Sequence, residues 1–221
     1  EKGLRFYFRC KGTSFLSFLQ IFLPFLLAIS TFSSNFVLKL RILTQKMEDF
    51  VHLHVHTQYS ILDGQSKIPH LVDKAIKDGM KGMAVTDHGV MFGIKELTDY
   101  CGKVNKGRKK EGLEPFKPII GCEMYVAHRR KEDRDKNRGD MSGYHLIVLA
   151  KNYNGYKNLI KLVSNSWVDG YYMRPRTDRA DLEKYHEGLI VLSGGLDSEI
   201  FSNLTNDDTE EAEKTIKWYK R

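Results

Sequence analysis

From Phe50 onward, apolar and polar residues recur with periods that mark out the elements. Phe50–Thr57 alternates with period two and is rich in β-formers. It predicts a strand with Val51, Leu53 and Val55 on one face and His52, His54 and His56 on the other. Leu71, Val72, Ala75 and Ile76 recur at helical spacing, with Ser66 as a cap, Pro69 in the first turn and Gly79 as the stop. Met83–Thr86 predicts a short strand, and Phe92 to about Lys106 a helix. Strands expected over Ile119–Ala127, Leu146–Ala150 and Leu189–Leu192 are interleaved with helices over Gly155–Trp167 and Asp181–His186. An amphipathic helix over Thr209–Lys220 closes the series. This alternation predicts an α/β fold of parallel βα units, with a site at the C-terminal ends of the strands. The mostly charged segment 128–143 reads as an exposed, solvated loop.

The first 46 residues carry a different pattern. Lys2, Arg5, Arg9 and Lys11 precede an apolar run from Phe15 to Ile29, interrupted by Pro24. This resembles the basic and apolar regions of a signal peptide, and the run is short for a membrane span. Met47 stands immediately before the first patterned strand, so translation is expected to begin there. A signal or anchor and a genuine extension are the alternatives. The expected organisation is a leader over 1–46 and a domain over 47–221.

The 221 residues suffice for one domain with a real core, or for a domain plus an appendage. A net charge of +7 suits a polyanionic partner without requiring one. The basic stretch Lys103–Lys110 reads as the solvated end of a helix ahead of a nucleic-acid contact. Cys10, Cys101 and Cys122 are odd in number and widely spaced. They give no disulfide framework and no thiolate zinc site, and they fit a reducing compartment. No internal repeat is present.

The histidines supply the candidate chemistry. Three imidazoles on one strand face each carry two ring nitrogens that need partners, and a divalent metal meets that need. A polar face on an exposed edge is the competing account. Thr86-Asp87-His88-Gly89 ends the second strand, where a parallel fold places functional groups, although Asp-His-Gly alone is an ordinary turn. Asp87 is positioned to orient a neighbouring ligand from behind. Glu123 sits inside the apolar stretch Ile119–Tyr125, so it needs either a metal or a buried ion pair. Asp63, in Leu62-Asp63-Gly64, follows the first strand closely enough to complete a coordination shell, and by itself is a turn residue.

Taken in order, His54-Val55-His56-Thr57, Thr86-Asp87-His88-Gly89, Gly121-Cys122-Glu123 and Tyr144-His145-Leu146 resemble the PHP (polymerase and histidinol phosphatase) superfamily. Thr57–Gly64, Lys117–Glu123, Leu149–Asn152, Gly155–Leu159 and Arg174-Pro175-Arg176 are similar to its replicase branch, the N-terminal domain of bacterial DNA polymerase III alpha subunits. The resemblance runs from about Phe50 to Ile200. It implies a distorted (β/α)7 barrel, here incomplete at its C-terminus, and up to three divalent ions, zinc or manganese, with magnesium for a full-length polymerase. It implies His54, His56, Asp63, His88, Glu123 and His145 as metal ligands. Glu123, His88 and Asp63 would be catalytic, with His52 and Asp87 behind the ligands. His145 conflicts with the parallel-strand expectation, because it stands at the start of its strand. Gly195 replaces a cysteine ligand of some family members, and the family's last Asp-x-His motif has no match.

The function so implied is metal-dependent phosphodiester hydrolysis of the 3′-exonuclease type, within a polypeptide that as a whole is a DNA-directed DNA polymerase. The expected partners are DNA, a proofreading exonuclease and a sliding clamp. The expected location is cytoplasmic, with no membrane association of the domain. Two alternatives are a catalytically silent module that braces the polymerase and docks the exonuclease, and a free-standing histidinol-phosphatase-like enzyme.

Overall fold

The computed structural model describes residues 50–220, and the expectations for the leader lie outside them. The elements are α1 (Ile68–Lys77), β1 (Gly82–Val85), α2 (Ile94–Lys110), β2 (Lys117–Val126), β3 (Tyr144–Ala150), α3 (Tyr153–Val168), β4 (Tyr171–Tyr172), β5 (Arg174–Thr177), α4 (Arg179–Tyr185), β6 (Leu189–Leu192), α5 (Glu199–Thr205) and α6 (Thr209–Tyr219). A single 3-10 turn, Lys136–Arg138, interrupts the link between β2 and β3.

The sheet is mixed, which corrects the all-parallel expectation. β1 and β5 pair parallel to β2, whereas β3 pairs antiparallel to both β2 and β6, and β4 antiparallel to β5. The strand order is β4-β5-β2-β3-β6, with β1 also on β2. The reason lies in the connection. A parallel return requires a crossover, usually a helix, but residues 127–143 hold only the 3-10 turn. The chain therefore comes back alongside β2 in the opposite direction.

The strand assigned to Phe50–Thr57 does not form as regular structure. Ala84 N donates to His52 O at 2.8 Å and Thr86 N to Val55 O at 2.9 Å. Three steps along this segment thus oppose two along β1, one residue more than regular pairing admits, and the backbone bends at Leu53–His54. Helix α1 starts at Ile68 with Pro69 in its first turn. Lys67, not Ser66, is its cap position and makes no side-chain cap bond, while Ser66 O accepts from Gln58 N at 2.9 Å. Helices α3 and α4 are closed by Asn152 and Asp178, whose side chains accept from Gly155 N and Asp181 N.

Side-chain parity divides the core. Val72, Ala75, Met83, Val85, Leu97 and Phe116 pack α1 and α2 against β1. Cys122, Met124, Val126, Leu146 and Val148 face Leu159, Leu162 and Leu182 of α3 and α4. The intervening strand positions fall on the other face. There Ala84, Ile147 and Leu149 form a small apolar floor, and Glu123 and His145 share that face by alternation.

The charged segment 128–143 is not a freely solvated loop. Arg176 is wholly buried beneath it and donates to the carbonyls of Lys131 and Asp140 at 2.7 Å, Asp133 at 3.0 Å and Gly170 at 3.2 Å. Lys131, also buried, pairs with Asp181 at 2.5 Å. A buried guanidinium is tolerated because its donors are satisfied. Cys101 and Cys122 are buried free thiols. Among the described residues, no helix is long and apolar enough to cross a membrane.

Candidate metal centre

Four imidazoles from three parts of the chain surround one carboxylate. Glu123 is 4% exposed. Its Oε2 lies 2.5 Å from His54 Nε2 and 2.8 Å from His56 Nε2, and its Oε1 2.7 Å from His145 Nδ1. His88 Nδ1 lies 3.7 Å from Oε2, and His88 Nε2 2.7 Å from Asp63 Oδ2. The rings of His56 and His88 stack at 4.2 Å.

Backbone pairing sets these positions. The extra residue opposite β1 breaks strict alternation between His52 and His56, so His54 and His56 converge while His52 does not. His52 is exposed and packs edge-on against Phe50 at 4.7 Å, which corrects its expected place behind the ligands. His88 extends β1 by one parallel bridge to Glu123. The conflict over His145 is resolved by the antiparallel sheet, since the start of β3 lies beside the end of β2 and Tyr125 faces His145. Asp63 reaches His88 but is mostly solvent-exposed.

Asp87 is buried beside these groups. Its Oδ1 accepts from Thr57 N at 2.7 Å and Ser60 Oγ at 2.8 Å, and its Oδ2 from Thr57 Oγ1 at 2.8 Å. Ser60 and Thr57 went unrecognised in the sequence, where a hydroxyl inside a polar turn carries no distinguishing mark.

The electrostatics follow from crowding. Burial opposes ionisation of Glu123, but hydrogen bonds from His145, His56 and His54 outweigh it and hold the carboxyl far below its ordinary range. The hydrogen bond to Glu123 raises the His56 pKa, whereas burial lowers that of His88.

This donor set fits a divalent cation. Two groups, His54–His56–Glu123 and His88–Glu123–His145, each place three ligand atoms within 4.8 Å of one another, and Glu123 belongs to both. His88 Nδ1 is buried without a hydrogen-bond partner, and the Nε2 atoms of His54 and His56 lie 3.0 Å apart. A buried lone pair with no donor is costly. Imidazole and carboxylate ligands suit zinc or manganese. Gly195 contributes no side chain, although the loop after β6 passes His145, whose N–H donates to Asp197 O at 2.9 Å.

A cleft of about 560 Å³ opens from His88, His145 and Asp63. Its walls carry Tyr59, Phe92, Trp167, Tyr171 and Arg174.

A family model described as PHP domain matches residues 52–221. The chain is 45% identical over 172 residues to a DNA polymerase III subunit alpha of Borreliella burgdorferi, covering 78% of this chain and 14% of that protein. It is 42% identical over 171 residues to that of Treponema pallidum, covering 77% and 14%. It is 41% identical over 171 residues to that of Thermus aquaticus, covering 76% and 13%. The chain thus spans only about one-seventh of the length of these relatives. Among solved structures, an amidohydrolase from Chromobacterium violaceum shares 18% identity over 52% of this chain and 32% of its own, with a TM-score of 0.33. A likeness of that size supports no argument.

Proposed function

Because the chain belongs to the PHP domain family, we propose that it is the N-terminal, metal-dependent phosphoesterase part of a DNA polymerase III alpha-type subunit, acting on phosphodiesters at a DNA 3′ end. The observation that carries this reading is the convergence of His54, His56, His88 and His145 on the two oxygens of Glu123. In this reading those five residues and Asp63 hold up to three zinc or manganese ions within a distorted (β/α)7 barrel. The polymerase itself uses magnesium in the cytoplasm, with DNA, a proofreading exonuclease and a sliding clamp as partners.

A divalent cation bound there supplies Lewis acidity: it offsets charge on phosphoryl oxygens and lowers the pKa of water. The chain's own groups prepare for this. The Asp63 carboxylate accepts from His88 Nε2–H, which leaves the lone pair on the unpartnered Nδ1 facing Glu123. Burial keeps His88 neutral, as a ligand or proton acceptor must be. Glu123 stays ionised and is shared by both groups of ligands. Arg174, on the cleft wall, is placed to meet a phosphate.

The test is cleavage of a labelled single strand by the full-length protein with manganese or zinc, compared with H54A/H56A. Metal-dependent 3′ trimming lost in the variant supports the reading. Absence of cleavage in the metal-loaded wild type would overturn it.

The bracing and docking role remains the second reading. Ile61, Leu62, Phe92 and Met173 are large apolar side chains exposed around the cleft mouth, as an interaction surface would be. Under this reading, H54A/H56A weakens subunit association or folding and changes no cleavage.

A further inference from the structure

Trp167 lies in the last turn of α3 and Tyr171 opens β4, and both line the cleft. Their rings stack at 5.5 Å with 18° between the planes. They remain 44% and 47% exposed, and neither joins the apolar clusters of the core. The stack is nonetheless fixed in place. The indole N–H of Trp167 donates to Gly89 O at 2.7 Å, and Gly89 N donates to Glu123 O at 2.8 Å. Tyr171 pairs with Pro175 across the β4–β5 hairpin. A Cβ at Gly89 would lie 2.7 Å from Pro175 Cγ, so the hairpin sits directly against the turn after His88. Backbone contacts thus register both rings to the candidate ligands. Arg174 belongs to the same hairpin. Its guanidinium lies over the Tyr125 ring at 5.6 Å, is exposed, and makes no ion pair among the described residues.

We propose that the Trp167–Tyr171 stack is a platform for the unpaired terminal base of a DNA strand, and that it makes the cleft select a strand end over phosphate esters that carry no base. The assignment deepens the phosphoesterase reading and rests on it for the kind of substrate. Three observations choose a nucleobase as the occupant. Near-parallel rings offer a flat π face, which another flat ring continues, and stacking on such a face tolerates every base. A guanidinium without an ion pair in the same hairpin calls for an anion, and a nucleotide carries ring and anion on one molecule. The cleft, at about 560 Å³, is sized for roughly one or two nucleotides and not for a duplex end. Rings already held rigidly lose little conformational freedom on binding, so the stacking energy is retained. An apolar segment of a partner protein would gain nothing from the flat face or from Arg174.

The test uses the full chain with a chelator present, so that binding is read without cleavage. Fluorescence anisotropy compares a 5′-labelled oligo-dT with the same strand made abasic at its 3′ end. Wild type is expected to bind the intact strand roughly 5–150-fold more tightly, the range that stacking of a single base supplies. W167A and Y171A are expected to lose most of that preference, and W167F, which keeps a ring, to retain part of it. Equal affinity of wild type for the two strands, absence of binding, or a preference undiminished in both alanine variants overturns the assignment. Equal affinity is also the result if the cleft takes a partner protein. The wild-type comparison needs no substitution, so a variant that fails to fold leaves the decision intact. Manganese or zinc is then added. A base preference that depends on Trp167, without cleavage, keeps the platform while the phosphoesterase reading falls. Cleavage of strands that bind alike keeps that reading while the platform falls.

Discussion

Glu123 and His88 are held together by their backbones, while their side chains approach no closer than 3.7 Å. Gly89 N donates to Glu123 O at 2.8 Å and Glu123 N to Asp87 O at 3.1 Å, forming an isolated parallel bridge that carries β1 pairing into the site. The relative position of these two candidate ligands is therefore set by the same ladder that joins the strands.

E123Q tests what the carboxylate itself contributes. The backbone bridge survives the substitution, so the chain is expected to keep its fold. Glutamine cannot attract three imidazoles or serve two groups of ligands. Zinc affinity is expected to fall by more than the roughly 100-fold that supporting residues command. Isothermal titration checks this, and affinity within tenfold of wild type would contradict the central place given to Glu123.

The pH dependence of the metal-free chain gives a second check. The Glu123 carboxyl is depressed in the folded state, so its contribution is present above the ordinary value of 4.5 and lost as pH falls through the folded value. His56 is raised, so its contribution is complete below 6.5 and lost as pH rises through the folded value. The stability advantage of wild type over E123Q is therefore expected to peak between these two values and shrink on either side. Urea denaturation across that range measures it, and an advantage that grows steadily toward alkaline pH would refute the pairing.

Arg176 offers a stability test remote from the ligands. R176A leaves the carbonyls of Lys131, Asp133, Asp140 and Gly170 without their donors. A loss of about 3 kcal/mol or more is expected, at the upper end for single substitutions. R176K is expected to recover less than half, because a compact ammonium cannot serve four carbonyls as the planar guanidinium does. Chemical denaturation gives the loss, and tryptic cleavage within 128–143 reports the released loop.

Gly64 is required by close approach. A Cβ there would lie 1.9 Å from Thr57 O, while Gly64 N donates to Ser60 O at 2.7 Å. G64A must push the turn outward and draw Asp63 away from His88. A destabilisation of about 1–3 kcal/mol is expected, together with weaker zinc binding. Unchanged stability and affinity would show that the turn has more room than its geometry indicates.

The histidine cluster was largely legible in the sequence because period two and strand ends are local signals. Glu123 stood out as a carboxylate in an apolar stretch. What could not be read depended on pairing. The extra residue opposite β1 that turns His52 away exists only once the segment lies on its neighbour. The reversal that delivers His145 depends on the 127–143 link lacking a helix. Arg176 and Ser60 act through carbonyls and hydroxyls distant in sequence, and no spacing rule marks such contacts. The charges of 128–143 suggested solvent because composition cannot reveal the arginine beneath them.

The antiparallel register of β2 and β3 ties core packing to chemistry. Shifting β3 by one residue would turn His145 to the helical side and bring Leu146 and Val148 out of their contacts with α3. The single alignment that satisfies the apolar layer is also the one that completes the ring of nitrogens. If the cluster binds a cation, a misaligned chain would thus lose packing and binding together, and cation uptake during refolding would report correct strand alignment.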